Sequence, residues 1–209
     1  MSKQLIYVHD PMCSWCFGFS KVYRLLTERL PDNVALIRLL GGLAPDTDEI
    51  MPESTRQMVR QNWRRIEEHI PGIEFNDDFW TKCQPRRATY PACRAVIAAR
   101  EQGDEYDISM TRQIQKAYYQ QARNPSDNET LIELAGEIGL DQERFSVHLV
   151  ADHTQQRLLD EIAKARAIGV SGFPSLVLLN DDRLQTVLVN YTDVDAVLEE
   201  ICCHLAPKK

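Results

Sequence analysis

Apolar and polar residues alternate along this chain in two rhythms. Residues 4–9, QLIYVH, form a short β-rich run bounded by Asp10-Pro11 and predict a strand. From Cys13 to about Leu30, apolar residues recur at Trp15, Phe19, Val22, Leu26 and Leu30, a helical stripe that Pro31 closes. VALIRLL (34–40), ended by Gly41-Gly42, predicts a second, largely buried strand. Strand, helix and strand open a βαβ unit.

The rhythm is then helical for about a hundred residues. PESTRQMVRQNWRRIEEHI carries Val59, Trp63, Ile66 and Ile70 on one face, and residues 92–103 and 108–122 are also helical in pattern. Ser126 with Glu129 has the spacing of a capping box opening NETLIELAGEIG, which stops at Gly139. Helices from Asp141 and from about Asp152 to Ile168 follow. Strands return only after Gly169: SLVLLN (175–180), a turn at Asp181-Asp182-Arg183 and LQTVLVN (184–190) predict a hairpin, without the Asn-Gly turn signal. A last helix, DVDAVLEEICCHL, starts at an Asp N-cap. The expected order is β-α-β, a helical insertion, then β-β-α, with no internal repeat.

Composition sets the class. The 209 residues are 44% hydrophobic and 26% charged, enough for a sizeable core in one domain or one domain with a large insertion. A net charge of −7 disfavours general binding to nucleic acid or an anionic membrane. Lys3, His9 and Asp10 break up any signal-peptide core, and no run approaches the roughly 18 apolar residues of a membrane span. We therefore expect a chain mature from near Met1 and cytoplasmic. Six cysteines are too few for a disulfide scaffold of this length, and in a reducing compartment a CxxC is redox-active or metal-binding more often than structural.

That CxxC lies in HDPMCSWCFGF, as Cys13 and Cys16. Two close cysteines can be plain core residues, since free Cys is often buried. This pair, however, follows a strand and Pro11 and opens a helix, where free N–H groups and the macrodipole stabilise an anion such as a thiolate. Zinc needs a second half-site. Cys83 and Cys93 are ten residues apart, Cys202 and Cys203 are adjacent, and His148 and His153 are five apart, so no metal is expected. Redox chemistry is the preferred reading. In GVSGFPSLVLLN (169–180), Pro174 stands directly before a buried strand, a place where a cis X-Pro bond is used, although a trans Pro at a strand start is common. No GxGxxG fingerprint calls for nicotinamide.

Together these motifs resemble a known family. DPMCSWCFGF, ACRAVIAAR, GLDQERF and GVSGFPSLVL are similar, over roughly residues 4–200, to the DsbA-like branch of the thioredoxin superfamily, in its cytosolic FrnE-type oxidoreductase group. The resemblance implies an α/β, thioredoxin-like fold with a large all-helical insertion. Residues 1–46 and 151–209 would form the thioredoxin-like domain and 47–150 the insertion. It further implies that Cys13 is the exposed nucleophile, that Cys16 resolves the mixed disulfide, and that Pro174 is cis and faces the pair. Ser14, Trp15, Gly172, Phe173 and Pro174 become the expected substrate-binding residues, with Trp15 and Phe173 as an apolar rim.

The chain departs from the pattern in two ways. Tyr7 stands where thioredoxin and periplasmic DsbA carry a buried acid, which leaves His9 and Asp10 as candidate proton acceptors for Cys16. The dipeptide Ser14-Trp15 is neither Gly-Pro nor Pro-His, so the family's potentials do not carry over. Relatives of the glutathione transferase kappa and hydroxychromene-carboxylate isomerase type share the layout but use serine where Cys13 stands. They are the alternative reading, beside a non-enzymatic redox sensor or chaperone. The expected partners are protein or small-molecule thiols and disulfides, with glutathione as a candidate co-substrate and no other cofactor.

The remaining features have plain readings. Arg56, Arg60 and Arg64, with Arg65, form a solvated face balanced by Glu67 and Glu68, or an anion site. Cys93 is expected in the core, Cys83 partly exposed, and of Cys202 and Cys203 one buried and one on the surface. Trp80, Tyr90, Tyr118 and Tyr119 are core aromatics or the lining of a cleft.

Overall fold

A computed structural model describes residues 3–206; residues 1–2 and 207–209, the two ends of the expected thioredoxin-like domain, lie outside the described residues. The chain opens with β1 (Lys3–His9), α1 (Ser14–Arg29) and β2 (Val34–Leu40). Seven helices follow: α2 (Glu53–His69), α3 (Phe79–Lys82), α4 (Tyr90–Arg100), α5 (Tyr106–Gln120), α6 (Asn128–Glu137), α7 (Gln142–Leu149) and α8 (Asp152–Ala167). It closes with β3 (Ser175–Asn180), β4 (Arg183–Val187) and α9 (Val194–Leu205), giving the thioredoxin-like fold with a helical insertion. Among the described residues no helix is long and apolar enough to cross a membrane.

The strands lie in the order β2-β1-β3-β4, with β1 parallel to β2 and antiparallel to β3, and β4 antiparallel to β3. Period-two alternation puts Leu5 and Tyr7 across from Leu178 and Leu176 on one face, under Phe19 and Leu26 of α1 and Val197 and Ile201 of α9. Ile6, Val8 and Val177 point to the other face, against Ala165 of α8. β2, expected to be largely buried, is an edge strand closed only at Val34 and Leu40, because among the described residues no strand pairs beyond it.

The helical block has its own core, in which Trp63, Met110, Ile114, Leu134 and Phe145 share one cluster with the buried residues of α4. α4 is apolar on nearly every side, and Ala92, Ala95, Val96 and Ala98 are fully buried, as an all-round apolar helix must be. α8 serves both parts, with Leu158 and Ile162 in the helical core and Ala165 on the sheet. A nearly dry ion network fixes the block to β2. Arg38 Nε and Arg100 Nε each donate to one oxygen of Asp107 at 2.6 Å. Arg100 also pairs with Glu161 of α8, whose other oxygen accepts the Leu40 N–H at 2.7 Å.

Several local expectations are corrected. The Ser126 hydroxyl does not cap α6; it turns inward and donates to the Ala88 carbonyl at 2.7 Å, and Asp127 becomes the cap residue without a side-chain cap bond. The hairpin turn is Asp181-Asp182 alone, with φ of +47° and +59°, the left-handed pair that suits strand twist, so Arg183 already lies in β4, which ends at Val187. Cys202 and Cys203 are both exposed, because the buried face of α9 is formed by Val194, Val197 and Ile201. On α2, Arg56 donates to the Trp80 carbonyl at 2.8 Å, while Glu67 accepts the Phe75 N–H instead of balancing the arginines.

Candidate active site

β1 ends at His9, and Asp10-Pro11-Met12 turns the chain into α1. The turn is built on Asp10, which is fully buried. Its Oδ1 accepts the Met12 N–H at 2.8 Å, and its carbonyl accepts the Cys13 N–H at 3.0 Å. Its Oδ2 accepts the Leu43 N–H (2.7 Å), the Thr89 hydroxyl (2.6 Å) and the Cys93 thiol (3.5 Å). One carboxyl group thus ties the CxxC loop to the segment after β2 and to α4. Burial raises the carboxyl pKa above its usual range, opposed by these hydrogen bonds.

Cys13 is the N-cap of α1, with extended backbone, and its Sγ accepts the Cys16 N–H at 3.4 Å. The same sulfur lies 3.4 Å from the Phe173 carbonyl, to which the thiol donates. Expected to be exposed, Cys13 is only 7% exposed, because the Phe173 segment and the helical block close over it. It is still the more open sulfur: Cys16, one turn inside, is 1% exposed. Burial pushes the Cys16 thiol well above its ordinary pKa, and contact with Cys13 and the Asp10 charge add to this.

A cavity of about 190 Å³ opens on Cys13. Ser14, Trp15 and Phe173 form one wall, and Met58, Val59 and Tyr118 of the helical block form the other. The Ser14 hydroxyl accepts from Trp63 Nε1 at 3.0 Å, joining the start of α1 to α2. The Phe173-Pro174 peptide is cis, and Pro174 is buried. The Phe173 ring occupies the space over Gly41, where a Cβ would stand 2.0 Å from it, so a side chain there would have to displace the ring. Gly172 is not brought into the cavity; it is exposed, and its carbonyl accepts the Ser175 hydroxyl.

His9 is buried, and neither ring nitrogen has a hydrogen-bond partner. It stacks on Tyr7 at 4.9 Å. Burial, then the charges of Arg38 and Arg100, push its pKa well below the ordinary histidine value. Tyr7 packs with Phe19 and Tyr23. Trp80 and Tyr119 are core, Tyr90 is half-buried, and Tyr118 alone of the four aromatics reaches the cavity. Cys83 is half-buried and donates to the Ala122 carbonyl. Cys93 is core as expected, but its bond to Asp10 was not legible: within ACRAVIAAR it reads as one more small apolar residue. Among the described residues no group of three or more His, Cys, Asp or Glu is placed to hold a metal.

The chain belongs to the thioredoxin family, whose description, Thioredoxin, matches residues 6–197. A structure from Nitrosomonas europaea, provisionally described as a protein disulfide isomerase, is similar with a TM-score of 0.85 and 24% identity over 98% of each chain. The cytosolic disulfide reductase DsbM from Pseudomonas aeruginosa is similar with a TM-score of 0.78 and 25% identity, covering 97% of this chain and 100% of that one. DsbM has also been solved with GSH. The family match and these neighbours give the chain a DsbA-like thioredoxin fold. A curated relative, the ClpXP adapter protein SpxH of Bacillus subtilis (strain 168), is 23% identical over 172 residues, 82% of this chain. The match spans only 56% of that relative's length.

Proposed function

We propose that this thioredoxin-family chain is a thiol–disulfide oxidoreductase in which Cys13 is the nucleophile and Cys16 resolves. The contrast between the two sulfurs carries the reading: Cys13 caps the helix and faces the cavity, while Cys16 is sealed behind it. In the reducing direction the Cys13 thiolate attacks a substrate disulfide. The substrate S–S bond breaks, a mixed disulfide forms and one substrate thiolate leaves. Cys16 gives up its proton and attacks Cys13 Sγ; the intramolecular disulfide forms, the second thiolate leaves, and two electrons have passed to the substrate. In the oxidising direction the same steps reverse.

Asp10 is the acceptor we assign for the Cys16 proton, supported by its burial and by its charge acting on Cys16. Trp15 and Phe173 form an apolar docking rim, and ionising Cys13 releases the Phe173 carbonyl to pair with substrate. Glutathione as a co-substrate and a cytosolic setting belong to the same reading, supported by what is described for DsbM. Cys16→Ser, mixed with glutathione disulfide, is expected to accumulate a Cys13 adduct visible by mass spectrometry. Cys13→Ser is expected to give none on Cys16. An adduct on Cys16 in that variant, and none in Cys16→Ser, reverses the assignment.

The SpxH match supports a second reading, a non-enzymatic adapter or sensor. Turnover separates the two: an enzyme passes electrons from a thiol reductant to many disulfides per chain, protein or small-molecule, whereas a sensor reacts once.

A further inference from the structure

The cavity over Cys13 has a charge pattern opposite to that of the chain. The protein carries a net charge of −7, yet the cavity is lined by Arg86 and Arg87 and by no aspartate or glutamate. The two arginines are engaged differently. Arg86 is held within the fold, donating to the Ser126 carbonyl at 2.6 Å and pairing with Asp127 at 2.7 Å. Arg87 is half-buried and, among the described residues, has neither a hydrogen-bond nor an ion-pair partner. Its charge reaches the Tyr118 hydroxyl, another cavity-lining group.

Arg87 buries part of its stem in the cavity wall, while its guanidinium nitrogens are not among the sealed polar atoms and stay open to a ligand. Its planar fork of donors matches a carboxylate bidentately. The dimensions narrow the ligand further. With a water occupying about 30 Å³, the cavity has room for about six. That is room for one half of a small disulfide.

We infer that Arg87 is a carboxylate anchor, and that the site selects low-molecular-weight disulfides bearing a carboxylate, with their sulfur on Cys13 and their carboxylate on Arg87. This rests on the oxidoreductase reading above and deepens it by naming the substrate class. Met58 and Val59 would pack against the carbon chain between the two ends. The overall step converts the Cys13–Cys16 dithiol and one disulfide into the protein disulfide and two thiols. It needs no further reactant.

The test uses the reduced full-length chain in single turnover, with glutathione disulfide as the anionic probe and hydroxyethyl disulfide as the neutral one. The readout is the ratio of their second-order rate constants. Arg87→Gln is expected to lower that ratio about tenfold, equivalent to about 1.4 kcal/mol. Arg87→Lys should restore part of it, keeping the charge without the fork. Added salt should lower the ratio in the unmodified protein and lower it less in Arg87→Gln. The salt measurement on the unmodified chain stands even if a variant folds poorly. An unchanged ratio in Arg87→Gln, or a salt-insensitive one in the unmodified protein, overturns the anchor. If the unmodified dithiol reacts with neither probe, the oxidoreductase reading itself fails and takes the anchor with it.

Discussion

Cys13 and Cys16 stand one helical turn apart yet meet opposite surroundings, because the N-cap residue faces out of the helix end while the third helical position faces the core. Burial makes the resolving thiol hard to ionise, and the second half of the reaction depends on where its proton goes. Replacing Asp10 by Asn keeps an oxygen for the Leu43 and Thr89 donors, removes the charge and gives up the Met12 N–H bond, since the amide NH2 cannot accept. The first attack by Cys13 should persist, while resolution slows by roughly 10²-fold, at the lower end of what a positioned acid–base group contributes. Quenched-flow mass spectrometry with glutathione disulfide would show the mixed disulfide accumulating. Unchanged resolution in a folded Asp10→Asn chain would remove Asp10 from the mechanism. The CxxC and the proline motif were legible because each is local. The partners of Asp10 lie 33, 79 and 83 residues away, at Leu43, Thr89 and Cys93, and no periodicity carries that information.

At the scale of elements, period and punctuation identify what packing reinforces. Leu5 and Tyr7 alternate with Ile6 and Val8 because β1 is central and both its faces are covered. Where a tertiary partner competes with a local one, the local pattern misleads. Ser126 has capping-box spacing, but the Ala88 carbonyl takes its hydroxyl. The seating of the helical block on the sheet was equally hidden, since Arg38, Arg100, Asp107 and Glu161 read singly as surface charges. Asp107 is the only one of the four that bridges two arginines, each side chain 10–11% exposed. Asp107→Asn would leave Arg38 and Arg100 close together and short of countercharge. A loss of about 3 kcal/mol in urea unfolding is expected, the scale for breaking a buried pair from one side. A loss under about 0.5 kcal/mol, the range of ordinary surface substitutions, would mean water enters the network freely.

For the whole molecule, the order of strands and helices could be read from the chain, but the interior that forms when block and sheet close over each other could not. His9 reports on that interior. It appeared in the sequence as a candidate base beside the cysteines; in the fold it is a sealed ring on Tyr7, with unpartnered nitrogens and near the charges of Arg38 and Arg100. Its pKa is depressed in the folded state, so below about pH 6.5 the unfolded chain binds a proton on His9 that the folded chain refuses. Global stability should therefore fall as the pH drops from about 6.5 to 5, with His9 contributing up to about 1.4 kcal/mol per pH unit. Asp10 acts in the opposite sense, since its raised pKa lets the folded state bind the extra proton between that raised value and the unfolded carboxylate value of about 4, an effect that a His9 variant shares with the unmodified protein. His9→Phe keeps the ring for stacking and removes the titration, while every other group stays common to both proteins. Urea unfolding of both across this range should give a shallower pH slope for the variant. Equal slopes would show that His9 takes up its proton in the folded chain, and that the junction between block and sheet is open to water.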